Sequence, residues 1–259
     1  MQAYDRLKLA RAAGRPTALD IIENVFDGFI ELHGDRLFAD DSAIIGGIAR
    51  LNSRPVTVIA TQKGRTVEEK VQRNFGSAHP EGYRKALRLM QQAEKFKRPI
   101  ICIVDTSGAY CGIGAEERGQ GRAIADNLMV MMRLKVPILS LISGEGGSGG
   151  ALALAVANEV WMLENAIYSV ISPEGAASIL YKDASVAQRA CEELKLTAQD
   201  LLDGGIIQRI FNEDISPERT HSAYKSALLK AVDKYSSMDT GVLLAQRYEQ
   251  FRRIGRIDA

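Results

Sequence analysis

Residues 137–157 read PILSLISGEGGSGGALALAVA. The opening PILSLIS is apolar apart from two serines, which marks a strand buried on both faces. Of the next seven residues, 144–150, five are glycine. ALALAVA follows, small and apolar, and reads as a helix lying close to a sheet. The same order occurs one unit upstream. PIICIVD (99–105) is a buried strand, TSGAYCGIG a glycine loop, and 115–135 a helix with Glu116 and Glu117 in its first turn, where the helix dipole favours negative charge. Downstream, EVWML and IYSVIS read as further strands, and Ser172–Pro173 opens another helix. Buried strands alternating with helices predict an α/β fold with parallel strands and right-handed crossovers.

The flanks differ from this rhythm. Residues 5–13 and 17–33 read as helices, the second capped by Thr17, with Leu19, Ile22, Val25, Phe26 and Phe29 on one face. AIIGGIARL and PVTVIATQK form a hairpin joined by NSR, and 80–97 is an amphipathic helix with Pro80 in its first turn. Two more amphipathic helices, 222–236 and 240–255, close the chain. Leu228, Ala231, Val232 and Tyr235 line one; Leu244, Tyr248, Phe251 and Ile254 line the other. The organisation expected is one domain over 1–259: N-terminal helices in 1–33, a core in 40–211 and C-terminal helices in 222–255.

Composition narrows the functional classes. With 259 residues, 46% hydrophobic and 25% charged, the chain is long enough for a large globular core. A net charge of +1 speaks against a nucleic-acid polycation or an acidic tail. Cys102, Cys111 and Cys191 form no CxxC pair, and His33, His79 and His221 are scattered, which argues against a disulfide framework and a zinc site. A reducing, cytoplasmic location is the simplest expectation. No apolar run reaches the ~18 residues of a membrane span. The first residues carry charges throughout and lack the apolar core of a signal peptide.

The glycine loop 144–150 joins a strand's C-terminal end to a helix start, the edge at which α/β sheets bind ligands. The first helical N–H groups have no partner within the helix, and glycine lets a ligand atom reach them. A nucleotide P-loop is ruled out, because Gly150–Ala151 stand where Lys and Ser/Thr are required. GEGGSG does match the dinucleotide pattern at Gly144, Gly146 and Gly149, with Glu164 twenty residues on. The loop also suits an oxyanion hole, and the loop 106–114 supplies a second one beside it. Two neighbouring loops can offer donors to one oxyanion, each worth about 3 kcal/mol in the transition state. Close helix–strand packing is the plainer explanation of the same glycines.

Side-chain chemistry is sparse here. Ser148 sits at the helix start with no histidine near in sequence, His79 reads as a turn or cap residue, and Cys111 as a small turn residue. Lys63, Arg65, Lys70 and Arg73 in QKGRTVEEKVQRNFG form a stretch where a substrate phosphate, such as the tail of coenzyme A, can dock; solvated surface is the ordinary alternative. An enzyme built this way works by positioning and backbone electrostatics, with the base coming from substrate or cofactor.

FIELHGDRLFADD, QKGR, RNFGSAHPEGYRKALRLMQQAEKFKRPIICIVDTSGAYCGIGAEERGQG, GEGGSGGALALA and YSVISPEGAASILYKD resemble the carboxyltransferase alpha subunit of bacterial-type acetyl-CoA carboxylase. The resemblance runs from about residue 20 to 211. It implies a crotonase-like spiral of ββα units, closed by a helix, glycine turn and short strand in 196–210. It implies transfer of a carboxyl group from carboxybiotin, carried on a biotin carrier protein and not attached to this chain, to acetyl-CoA, giving malonyl-CoA for fatty acid synthesis. Carried over by motif, the backbone amides of Gly112 and Ile113 form one oxyanion hole and those of Gly146 and Gly147 another. Gly108, Ala109, Tyr110, Ser148, Gly149 and Gly150 line the substrate site, with Lys63, Arg65 and Arg73 on the coenzyme A side. The implied partners are a zinc-containing beta subunit, the biotin carrier protein and biotin carboxylase, in an alpha2beta2 assembly, with no metal in this chain. The family pattern T-P-G-A-Y-P-G has prolines where Ser107 and Cys111 stand, which predicts a looser first loop. Gly147→Val is expected to abolish turnover and leave the fold largely intact.

Overall fold

The computed structural model describes residues 1–213 and 216–256, so residues 214, 215 and 257–259 of the expected domain lie outside the described part. Two helices, α1 (Ala3–Ala10) and α2 (Ala18–Val25), lead into strand β1 (Asp27–Glu31) and the hairpin β2 (Ile44–Leu51) and β3 (Arg54–Thr61). A short helix α3 (Val67–Gln72) and the long α4 (Pro80–Lys95) precede β4 (Ile100–Thr106). Then come α5 (Ile113–Glu117), α6 (Gln120–Met131), β5 (Ile138–Gly147), α7 (Ser148–Leu152), β6 (Glu159–Leu163) and β7 (Ile167–Ser169). The chain closes with α8 (Pro173–Tyr181), α9 (Ala187–Leu194), α10 (Ala198–Asp203), β8 (Arg209–Phe211), α11 (Pro217–Ser236) and α12 (Thr240–Arg253).

All strands join one mixed sheet in the order β1-β2-β3-β4-β5-β6-β8, with β7 added beside the far end of β5. β1 to β3 pair antiparallel; β3 onward pairs parallel, with Val58 opposite Ile101, Ile103 opposite Leu141, and Leu141 opposite Trp161. Every residue of β4 is buried, as its unbroken apolar run requires. Helix α4 packs on β2 and β3 and against α6, while α2 packs against α11. Trp161, Phe211 and Tyr224 meet edge-to-face with ring centroids 5.5–5.9 Å apart and tie α11 to the parallel end of the sheet.

Four expectations change. Residues 17–33 are not one helix: α2 ends at Val25, Phe26 is extended, and β1 becomes the sheet's edge strand. The apolar spacing of Leu19 to Phe29 fits a helix, but Gly28 at φ 60 breaks it and the open edge of β2 recruits the segment. The helix of 115–135 is split at Gly119, which takes φ 82. Residues 144–147 are not a loop, because β5 runs straight through them, and only 148–152 are helical beyond. On α12 the buried residues are Leu243 and Arg247, whereas Tyr248 and Ile254 are exposed. Arg247 is fully buried because its guanidinium donates to the carbonyls of Met131, Leu134 and Val136 and to Asn158 Oδ1 at 2.6–2.8 Å. Burial lowers its pKa to about 10, against a smaller opposing pull from the Glu94 carboxylate.

Candidate active site

Strands β3, β4 and β5 point their C-terminal ends to one place, and a charged residue stands within two residues of each end. Lys63 Nζ lies 2.8 Å from Asp105 Oδ1 and 2.9 Å from Glu145 Oε1. Glu145 also takes Arg11 at 2.9 Å, and its own N–H donates to Asp105 Oδ1 at 2.8 Å. Burial works against the Lys63 ammonium, but the two carboxylates outweigh it and hold its pKa above the usual lysine range. Burial likewise opposes the Glu145 carboxylate, and Lys63 and Arg11 pull it below the usual range. Arg15 reaches the same end of β5, donating to the Ser143 carbonyl at 2.7 Å and pairing with Glu213 at 3.0 Å.

Above this charged floor the two glycine segments touch backbone to backbone. A Cβ on Gly147 would lie 2.1 Å from the Ser107 carbonyl oxygen, and one on Gly150 would lie 2.5 Å from the Ala109 nitrogen. Gly144 leaves room for the Asp105 carboxylate, 2.3 Å from where its Cβ would stand. Packing therefore explains Gly144, Gly147 and Gly150. Gly147→Val is accordingly a folding mutation: no rotamer places a branched side chain through the Ser107 peptide.

The first loop is held by hydrogen bonds from both sides. Thr106 Oγ1 donates to the Gly108 carbonyl at 2.8 Å, the Tyr110 N–H donates to Ala78 at 3.0 Å, and Gln120 Nε2 donates to the Tyr110 carbonyl at 2.9 Å. The Tyr110 ring stacks on His79, centroids 4.0 Å apart, and its other side faces Gly112, whose Cβ would meet it at 2.7 Å. Gly108 has φ 150, open to glycine and to few other residues. Gly112 is the N-cap of α5 and Ile113 its first residue, so their N–H groups have no helical partner. Neither makes another hydrogen bond among the described residues, and the Ile113 side chain is 81% exposed.

The second segment is arranged differently. Gly146 stands between Thr106 of β4 and Tyr168 of β7, and Gly147 is in register with Ser169. A residue flanked by parallel strands on both sides spends its N–H on one of them. The amides beyond the ladder are those of Ser148, Gly149 and Gly150, at the start of α7. Ser148 is exposed at the turn with φ 50. Residues 146–150 thus have the G-x-S-x-G spacing and strand-to-helix turn of serine hydrolases, a feature the sequence reading passed over. No hydrogen bond joins Ser148 to a histidine or carboxylate among the described residues, so no activated nucleophile is formed.

The basic stretch is largely spent internally. Lys63 serves the strand ends, Arg65 pairs with Asp20 at 2.5 Å and Glu23 at 3.3 Å, and Arg73 donates to the Ser42 carbonyl at 2.8 Å. Lys63, Arg65 and Lys70 line a cleft of about 630 Å³ with Arg11, Arg15, Asp105 and His221. A second cleft of about 480 Å³ lies over the first loop, between residues 107–111 and Val71, Asn74 and Phe75. Cys111 is exposed at its rim. Glu164 is held by Arg6 and by the Glu213 N–H, which leaves the dinucleotide pattern without its ribose ligand. Among the described residues no cluster of His, Cys, Asp and Glu is arranged to hold a metal, and no helix is long and apolar enough to cross a membrane.

The family model described as acetyl co-enzyme A carboxylase carboxyltransferase-like matches residues 1–255. The chain belongs to this carboxyltransferase family. It is 57% identical over 258 residues to the acetyl-coenzyme A carboxylase carboxyl transferase subunit alpha of Ruminiclostridium cellulolyticum, covering 99% of each chain. It is 61% identical over 258 residues to the carboxyl transferase subunits beta/alpha of Natranaerobius thermophilus, covering 98% of this chain but 43% of that longer protein. Among solved structures, transcarboxylase 12S superposes with a TM-score of 0.68 at 21% identity, over 83% of this chain and 41% of that one. The α/β fold is thus that of the crotonase-like carboxyltransferases. For this carboxyltransferase family member, the strand-end geometry supplies the reason why the glycine motifs take the form they do.

Proposed function

We propose that this chain is the alpha half of a biotin-dependent acetyl-CoA carboxylase carboxyltransferase. It moves the carboxyl group of carboxybiotin, held on a carrier protein, to acetyl-CoA and forms malonyl-CoA. The observation that carries this reading is the backbone contact of the two glycine segments, Gly147 and Gly150 against Ser107 to Ala109, each segment leading into the start of a short helix next to the buried Lys63–Asp105–Glu145 cluster. Such amides stabilise oxygen anions without offering a proton-transfer side chain. Biotin, when bound, supplies the carboxyl group and the ring nitrogen that serves as base. The residues present fit that division of labour: N–H groups without a hydrogen-bond partner, a cleft over the first loop and, among the described residues, no nucleophile hydrogen-bonded to a base.

In this reading Gly112 and Ile113 hold the ureido oxygen of biotin. Gly149 and Gly150, one step beyond Gly146 and Gly147, hold the thioester oxygen as charge builds on it. Gly108, Ala109, Tyr110 and Ser148 line the path between them. Lys63 anchors the strand ends rather than a substrate phosphate, because two carboxylates already hold it. Lys70, which lines the larger cleft, takes the phosphate role expected of Arg65 and Arg73. The fused beta/alpha relative supports a beta chain as the working partner, and the alpha2beta2 assembly with biotin carboxylase and the carrier protein belongs to this proposal.

The test mixes the chain with a cognate beta chain and follows carboxyl transfer from malonyl-CoA to free biotin. Activity well above that of beta alone is the expected result. Activity of this chain without beta points instead to a free-standing acyl-CoA enzyme, and no activity in the mixture removes the proposal.

A further inference from the structure

Phe75 has no structural reason to be where it is. Its side chain is 55% exposed, it belongs to no apolar cluster, and it makes no ring contact among the described residues. Its backbone is costly as well. Asn74, Phe75 and Gly76 take φ values of 46, 54 and 79 in succession, and a bulky side chain in the left-handed region is an outlier. The turn is nevertheless pinned on every side. The N–H groups of Gly76 and Ser77 donate back to Arg73 and Asn74 at 2.8 Å, and Asn74 Nδ2 meets His79 Nδ1 at 3.2 Å. Gly76 lies so near the Asp105 carbonyl that a Cβ would stand 2.8 Å from it. A strained turn clamped this firmly to the end of β4 fixes one thing that faces outward, the phenyl ring.

That ring and Ser107 line both clefts, so Phe75 is part of the ridge between them. On the side of the first loop, Val71 and Phe75 make an apolar wall opposite the backbone of residues 107–111. Within that backbone the Cys111 N–H makes no hydrogen bond among the described residues, while the Ala109 nitrogen lies against Gly150. A slot with one aromatic wall and one amide wall fits a flat ring that carries a carbonyl oxygen.

Resting on the carboxyl-transfer reading, we infer that Phe75 is a specificity-determining contact. Its ring covers the face of biotin's fused ureido ring and presses that ring against the first loop. The experiment uses the complex with beta and follows transfer from malonyl-CoA to free biotin. Glycine accepts a φ near 54 without strain, so Phe75→Gly should melt no lower than wild type. Its KM for biotin should rise about tenfold, the worth of a lost stacking face, with KM for malonyl-CoA unchanged. Phe75→Tyr should restore the biotin KM. A lower melting midpoint with an unchanged biotin KM makes the ring structural and overturns the inference. A rise confined to the KM for malonyl-CoA assigns the ring to the other substrate and also overturns it. Phe75→Trp separates this failure from failure of the reading as a whole. Against wild-type complex, whose alpha chain has only the buried Trp161, the added indole emission should change saturably with biotin whether or not turnover is seen. No change with biotin sinks the inference even in an active complex.

Discussion

Gly150→Ala tests the contact on which the site depends. The added methyl carbon would stand 2.5 Å from the Ala109 nitrogen, 2.8 Å from the Gly108 carbonyl carbon and 2.9 Å from the Tyr83 hydroxyl. Two of those three atoms are backbone, and Tyr83 is fully buried, so none can step aside. Relief requires the two segments to part by roughly 1 Å, since carbon–carbon contacts settle near 3.5–4.0 Å. Overpacking of this kind costs about 1–3 kcal/mol, or roughly 2–10 °C in melting midpoint for a chain of this size. The displacement matters more for rate. Moving a catalytic group by about 1 Å can cost about a hundredfold. Urea unfolding of the chain and malonyl-CoA-to-biotin transfer in the complex with beta read the two effects separately. A variant that is as stable and as active as wild type would show that the segments are not in backbone contact, and the reasoning above would fail with it.

Three further outcomes follow from the same geometry. Glu145→Gln should destabilise the chain by about 2 kcal/mol at neutral pH, since Lys63 and Arg11 each lose a buried carboxylate while keeping another partner. Because the folded-state pKa of Glu145 is depressed, its contribution is present above the ordinary value of 4.5 and is lost as pH falls through the depressed one; denaturation curves of the two proteins should converge in acid. Arg247→Met should cost about 3 kcal/mol in urea unfolding by stranding the carbonyls of Met131, Leu134 and Val136, while Asn158 Oδ1 keeps the Ile138 N–H, and Arg247→Lys should not restore it, because an ammonium cannot reach all of the guanidinium's acceptors at once. Gly149→Ala should raise stability by up to about 1 kcal/mol, the ordinary gain of alanine over glycine in a helix, while lowering kcat in the transfer assay. Equal or higher activity in that variant would remove Gly149 from the site.

The parallel half of the fold was legible because its strands are buried on both faces, and nothing but a strand suits an unbroken run such as IICIVD beside a glycine turn. The edges were not. Residues 27–31 pattern equally well as a helix, and only the unpaired side of β2 decides for a strand. Tertiary demand also hid Arg247, since a charged residue is assigned to solvent unless three stray carbonyls at the end of α6 and before β5 are known to need a donor. The same holds for Phe75: RNFG reads as a polar turn with one aromatic in it, and the signal that sets it apart, three successive left-handed residues, belongs to the backbone and not to the composition.

For the glycines the sequence offered packing and chemistry as competing explanations, and the structure shows packing at three of them. Gly144, Gly147 and Gly150 recur every third residue and face Asp105, Ser107 and Ala109, so their job is to let β5 and the start of α7 lie against the first loop. That contact brings the strand-to-helix turns of the two segments together. Gly149 falls outside this account. Its φ is not left-handed, its nearest neighbour is Ile124 Cγ2 at an unstrained 3.6 Å from an added Cβ, and glycine there costs the helix stability. In the proposed reading, the half-buried Gly149 keeps room at the start of α7 for an oxygen anion that is not part of the chain.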